Sequence, residues 1–176
     1  MGMAAEIHRI VLSSGHVAVI DEADWERECR VGFACSLLWV GRIADRNWRV
    51  SVEDHTAYCI SDIRIGKASL NLRLHRAVLD AAADQIVDHI DGNGLNCCRS
   101  NLRFATVAQN AQNRRPTVGR RLPKGVAFHK ASGKYESYIR HEGHRQHLGL
   151  FVTVEEASAA YGAAAIQLFG EFACVE

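Results

Sequence analysis

Between Ile86 and Arg115 the chain reads IVDHIDGNGLNCCRSNLRFATVAQNAQNRR, and such a segment has little latitude in how it folds. A short apolar run, IVDHI, stops at Asp91-Gly92-Asn93-Gly94, residues that tolerate positive φ, so a tight reversal is expected there. NLRFA has the composition of a returning strand. Thr106 with Gln109 three residues later is the capping-box pattern that opens a helix through VAQNAQNRR. The order is strand, loop, strand, helix, with Asn110 in the first turns of the helix.

The flanking regions read differently. Residues 1 to 80 form a β-rich N-terminal region with IHRIVL and HVAVI on either side of a Ser13-Ser14-Gly15 turn. DEADWERECR is a short helical or turn segment. WRVSV, AYCIS, DIRI and ASLNLRL follow as strands, with Gly66-Lys67 as a second hairpin turn, and no chemistry is evident in any of them. After the core at 81–115, Pro116 opens a basic linker, 116–123. From 124 to 176, KGVAFHK, KYESYIRHE and HRQHLGLF read as three strands separated by Ser132-Gly133 and Gly143. Thr153 with Glu156 makes a second capping box, Val154, Ala157, Tyr161, Ala164 and Leu168 recur at helical spacing, and Gly170 stops the helix. The fold class is therefore α+β, ending in a three-stranded antiparallel sheet packed on one helix. Tyr161 and Phe169 are assigned to its core.

Hydrophobic residues make up 48% of the chain, enough for real cores and against wholesale disorder. No apolar run approaches the ~18 residues that span a bilayer, and MGMAAEIHRIVL lacks a secretory pattern, so a cytoplasmic location is expected. The six cysteines form no C-x-x-C pair, which favours reduced thiols over disulfides or zinc. The formal net charge of +1 hides an asymmetry: Arg99 to His147 holds eleven Lys and Arg against two acids, +9, and the rest carries −8. A concentrated positive field of this kind suits a polyanion.

The central segment supplies the groups that phosphodiester hydrolysis needs. Asp88 and the side-chain carbonyl of Asn110 are oxygen ligands for a hard divalent cation, and Mg²⁺ keeps several waters, so two protein ligands suffice. His89 is the natural general base, since imidazole titrates near neutrality. Neighbours on a regular strand face opposite ways, so a distorted strand end is expected to bring Asp88 and His89 together. Asn101 could hydrogen-bond across the hairpin and orient His89.

DHIDGN, SNLR and AQN, with twelve residues from His89 to Asn101 and nine from there to Asn110, resemble the HNH family of ββα-metal endonucleases. The closest resemblance is to its phage and intron-encoded homing group, in which the third letter is Asn. The resemblance implies Asp88 and Asn110 as metal ligands, His89 as the base and Asn101 as the residue that positions it. One Mg²⁺ (or Mn²⁺) per active site is implied. His75-Arg76 resembles the HR pair that often precedes the motif, with a supporting role. Cys97-Cys98 depart from the Asn, Asp or Arg usual there, which puts local DNA contacts in doubt more than activity.

The C-terminal stretch, with KGV, KY, IR, HLGLF, TVEEA and AY, resembles the Apetala-two/ethylene-response-factor DNA-binding domain. Carried over by position, His129, Lys134, Tyr135, Tyr138, Arg140, Arg145 and His147 are the expected DNA-facing set. Ala127 and Tyr135 stand where that domain commonly has arginine and tryptophan, so base readout does not transfer. Arg99, Arg103, Arg114, Arg115 and Lys124 of the basic segment join them as expected DNA contacts. The expected function is a metal-dependent endonuclease nicking double-stranded DNA, acting as a monomer or weak dimer. A non-catalytic DNA-binding regulator is the alternative, and no membrane partner is expected.

Overall fold

The computed structural model describes residues 6–33, 36–53, 56–65, 67–116, 119 and 121–175, the side chains at 31–40, 65 and 68 excepted. Gly66 of the expected second hairpin turn, and Thr117, Val118 and Arg120 of the linker, lie outside the described residues. Two compact units divide the chain, 1–107 and 108–176. The fold is mixed helix and sheet, rich in small antiparallel sheets.

In the first unit, β1 (Ile7–Val11) and β2 (Val17–Asp21) form the expected hairpin, closed where Gly15 N–H donates to Leu12 O with Gly15 at φ +81°. A single turn of helix, α1 (Glu22–Trp25), leads into a second hairpin, β3 (Glu28–Phe33) with β4 (Ser36–Arg42). The sequence reading missed this pair, because a run of Gly, Ala, Cys and Leu lacks the alternation that flags a strand. β5 (Arg49–Val52), β6 (Ala57–Ile65) and β7 (Ala68–Arg73) make a three-stranded sheet. AYCIS and DIRI are one continuous strand, β6. Asp62 does not break it, because its carboxylate is exposed and accepts Arg49 of β5 at 3.0 Å.

The short helix α2 (Leu74–Val78) follows, with Leu74, His75, Ala77 and Val78 buried. Two of its C-terminal carbonyls, Ala77 O and Val78 O, accept the Arg27 guanidinium at 2.8 Å each. Such orphan carbonyls otherwise need water or a cap. β8 (Ile86–His89) and β9 (Leu102–Ala105) then form the antiparallel hairpin read from the sequence. Its Val87 and Leu102, with Cys97 from the intervening loop, belong to one hydrophobic cluster with Ile10, Ile20, Ile43, Leu74 and Val78. The N-terminal strands and the hairpin thus share a core.

The second unit contains most of α3 (Val107–Asn113), then β10 (Val126–His129), β11 (Lys134–His141), β12 (His144–Phe151) and α4 (Val154–Phe169). The three strands pair in order as one antiparallel sheet. Glu142 and Gly143, both at positive φ (+50° and +79°), form the two-residue turn between β11 and β12. Positive φ at both positions matches the right-handed twist of the flanking strands. The capping box at Thr153 and Glu156 is complete in both directions.

The buried stripe of α4 is Ala157, Tyr161, Ala165 and Phe169. Leu168 is exposed and Ala164 only partly buried, because a strict four-residue step, rather than the mixed step read from the sequence, faces Val126, Ser137 and Ile139. Gly125, at φ +72°, lies so close to Tyr161 that a Cβ there would overlap its ring. No helix among the described residues is long and apolar enough to cross a membrane.

Candidate active site

The β8–β9 ladder stays in register to its end, pairing Asp88 with Arg103 and His89 with Leu102. Alternation then sends Asp88 and His89 to opposite faces of the hairpin. The distorted strand end expected from the sequence is absent, since pairing is regular through His89. Both side chains are nonetheless buried, Asp88 5% and His89 6% exposed.

His89 lies among aromatic rings contributed by the N-terminal region. Its ring meets His75 edge-on with centroids 4.7 Å apart, and Tyr58 at 5.9 Å; Tyr58 and His75 are 5.5 Å apart. The Arg73 guanidinium lies 4.6 Å over the Tyr58 ring. Burial pushes the His89 pKa down to about 4, against the opposing pull of Asp91 and Asp88. Burial, with His89 beside it, also holds His75 well below the ordinary imidazole range. Both rings are therefore neutral at pH 7, the state in which an imidazole nitrogen can accept a proton.

The loop after His89 is organised around Asp91. Its carboxylate accepts Asn93 N–H (2.8 Å), Asn96 Nδ2 (2.7 Å) and Asn101 Nδ2 (2.9 Å). The second Asn101 amide hydrogen goes to Asn96 O at 2.9 Å, and Asn101 Oδ1 accepts Asp91 N–H at 3.0 Å. With both amide hydrogens committed, Asn101 has none to donate to His89 and braces the loop that leaves it. Gly92, at φ +68°, supplies the reversal: its N–H donates to His89 O at 2.9 Å. Gly94 has another reason to be glycine. A Cβ there would lie 2.4 Å from Ala57 O and 2.6 Å from the Tyr58 ring, so it permits close approach rather than a turn.

The N-terminal region, where the sequence showed no chemistry, holds this loop in place. Val19 of β2 pairs with it through Val19 N–H to Leu95 O (2.9 Å) and Cys97 N–H to Val19 O (2.8 Å). Thr56 Oγ1 accepts Gly94 N–H at 2.9 Å. Asp24, 3% exposed, receives Arg99 through Nε and a terminal nitrogen, both 2.7 Å, together with Arg27 at 2.9 Å. Arg99 N–H donates to Asp21 at 2.7 Å. The Arg99 side chain, expected on DNA, is thus a clasp between α1 and the 3₁₀ turn Arg99–Asn101. Cys97 and Cys98 are buried, and Cys97 packs into the core. Only spatial contacts, with no local motif, mark Tyr58, Thr56 and Asp24 as supports of the site.

Asp88 is engaged by Arg103, whose Nε and terminal nitrogen lie 2.9 and 2.8 Å from Oδ2. Among the described residues, three or more His, Cys, Asp or Glu side chains nowhere gather as a metal cluster. Asp88 with amide, water or phosphate oxygens would make a donor set that suits a hard divalent ion. Softer ligation is disfavoured, because burial raises the Cys97 and Cys98 thiols above their usual range. Asn110 lies on α3 and is described with the second unit.

In that unit the strand pleat sorts the expected DNA-facing residues. His129, Lys134, Tyr138, Arg140, Arg145 and His147 share the sheet face that also carries Glu136. Glu136 accepts Arg145 at 2.9 Å and His147 at 3.1 Å, and the Arg145 guanidinium lies 3.9 Å over the Tyr138 ring. Tyr135 has the other parity, shared with buried Ser137 and Ile139, and packs edge-on against Phe128 at 5.5 Å. Lys124 donates to Gln112 O (2.6 Å) and Arg114 O (2.7 Å), with Ala111 O at 3.5 Å, so its ammonium is spent on the end of α3. Arg114 and Arg115 are exposed just beyond that helix.

The profile of the HNH endonuclease family matches residues 83–112. "Uncharacterized HNH endonuclease L560" of Acanthamoeba polyphaga mimivirus is 31% identical over 111 residues, covering 62% of this chain and 57% of that protein. The chain thus spans little more than half the length of this relative. No solved structure matches it. The segment that carries Asp88, His89, Asn101 and Asn110 matches the HNH endonuclease family.

Proposed function

We propose that the protein is a metal-dependent DNA endonuclease that cuts one strand per encounter, with the β8–β9 hairpin as the floor of its ββα-metal site. The observation that carries this reading is the family match centred on a hairpin whose Asp88, His89 and Asn101 are all buried and positioned by other parts of the fold. His89 takes the proton of the attacking water. Its low pKa keeps it neutral, and an anionic phosphodiester beside it favours the protonated ring, drawing its basicity back toward neutrality. Asp88, and Asn110 by resemblance, supply oxygen ligands to Mg²⁺ or Mn²⁺, which when bound stabilises charge on the phosphate and leaving oxygens. Asn101 keeps the loop beyond His89 in shape.

DNA capture falls to the basic sheet face of the second unit, which is similar in its landmarks to the Apetala-two/ethylene-response-factor domain. Lys134, Arg140 and Arg145 engage phosphates or guanine edges there, and Arg114 and Arg115 add to the field. Tyr135, Lys124 and Arg99 are assigned to packing and bracing instead.

A plasmid-nicking assay with Mg²⁺ or Mn²⁺ tests this function. His89→Ala is expected to lose about 10²–10⁴-fold in rate while still binding DNA, the usual worth of a general base. DNA binding without metal-dependent cleavage by the unaltered protein would leave a DNA-binding regulator as the better reading.

A further inference from the structure

We propose that Arg103 is a built-in counter-cation for Asp88, which must release the carboxylate before a divalent ion is held there, so that ion capture and DNA capture become one event. The proposal rests on the nuclease reading above and concerns a step that reading leaves open. Asp88 and Arg103 face each other directly across the β8–β9 ladder, on the same side of the hairpin. Two nitrogens of Arg103 converge on one carboxylate oxygen, at 2.9 and 2.8 Å. The two side chains are only 6% and 11% exposed, so neither charge is well served by water.

Charge counting gives the consequence. A buried carboxylate without a counter-charge is strongly disfavoured, and Arg103 meets that need while no ion is bound. The pair is then neutral. Adding a divalent ion with Arg103 in place leaves the buried site at a formal charge of +2, which low dielectric penalises. A phosphodiester removes part of that excess and gives the released guanidinium a matching partner, since arginine's fork suits phosphate as well as carboxylate. Arg103 is therefore expected to weaken ion binding in the absence of DNA and to help hold the scissile phosphate in its presence. The sequence reading placed Arg103 among the DNA contacts; on this proposal it reaches that role only after leaving Asp88.

The test is Mn²⁺ titration of the full chain without DNA, read by electron paramagnetic resonance of free Mn²⁺. Wild type is compared with Arg103→Gln, Arg103→Lys and Asp88→Asn, each checked for folding by circular dichroism melting. Arg103→Gln should bind Mn²⁺ at least tenfold more tightly than wild type, Arg103→Lys should stay within about threefold of it, and Asp88→Asn should lose the site. Folded Arg103→Gln with affinity equal to or weaker than wild type overturns the counter-cation role and leaves the nuclease reading standing. If Arg103→Gln does not fold, wild type with and without a cleavage-resistant phosphorothioate duplex decides the matter. A tenfold rise in Mn²⁺ affinity with DNA supports the coupling, and no rise overturns it. Absence of Mn²⁺ binding by every folded form, with DNA present, overturns the metal-dependent reading and this proposal with it.

Discussion

Gly94→Ala tests whether the loop is held by close contact with the N-terminal sheet. The added Cβ would lie 2.4 Å from Ala57 O and 2.6 and 2.7 Å from two Tyr58 ring carbons. Ordinary carbon contacts begin near 3.5 Å, so loop and strand must separate by about 1 Å. The loop has little room to yield, being fixed by its Val19 pairing and by the Asp91 hydrogen bonds. Overpacking of this kind costs about 1–3 kcal/mol. Separation also breaks the 2.9 Å bond from Gly94 N–H to Thr56, worth about 1 kcal/mol. A total of about 2–4 kcal/mol lowers the melting temperature of a unit this size by roughly 10–25 °C.

Urea unfolding followed by tryptophan fluorescence suits this measurement, because Trp25, Trp39 and Trp48 all belong to the first unit. Thr56→Val isolates the hydrogen bond and should account for about 1 kcal/mol of the loss. Nicking by Gly94→Ala should fall further than the folded fraction does, because the displaced Tyr58 ring packs against His75 and His89. A stability loss below about 0.5 kcal/mol, the range of an ordinary surface change, would refute the close-contact argument.

Two other measurements probe different parts of the molecule. His75 and His89 have folded pKa values below their unfolded ones, so the unfolded chain binds protons that the folded chain refuses, and stability falls as pH drops below about 6.5. His89 contributes up to about 1.4 kcal/mol per pH unit between about 6.5 and its folded value of about 4, and His75 acts in the same direction. His75→Phe should make the fall in urea midpoints below about pH 6.5 shallower, and an unchanged slope would contradict the buried neutral ring. In the second unit, Arg140→Ala should weaken duplex binding similarly across sequences and reduce the slope of log K against log salt by about one; binding unaffected at low salt would remove the outer sheet face from the interface.

Local grammar was legible in the sequence wherever a turn or cap has its own residue code. The reversal at Gly15, the Glu142-Gly143 turn and the Thr153 capping box all follow from residues within four positions of one another. The β8–β9 hairpin that presents Asp88 and His89 is legible too, from its two apolar runs on either side of the Asp91–Gly94 reversal, although its ladder joins residues farther apart. What the sequence concealed depends on partners far along the chain. Asp62 breaks the apolar pattern between AYCIS and DIRI, yet the strand continues through it because its carboxylate accepts Arg49 from the neighbouring strand. Arg99, Arg103 and Lys124 look alike in a basic segment, yet one braces Asp24, another occupies Asp88 and the third closes α3. Charge composition identifies the cations without saying which are already spoken for. Gly94 looked like a turn residue among others, whereas its reason lies in Ala57 and Tyr58, more than thirty residues earlier.

The clasp between Asp24 and Arg99 has a consequence in time as well as in space. Its partners are 75 residues apart, and the Asp21–Arg99 bond spans 78. Closing loops of that length is entropically slow, and contacts of high sequence separation delay folding. The hairpin can pair its own strands early, from neighbours close in sequence. The loop that leaves His89 is fixed only when the opening strands have docked against it. The arrangement around His89 therefore depends on contacts that close late, and a chain whose opening strands have not yet docked lacks the loop geometry that Val19, Asp21 and Asp24 impose.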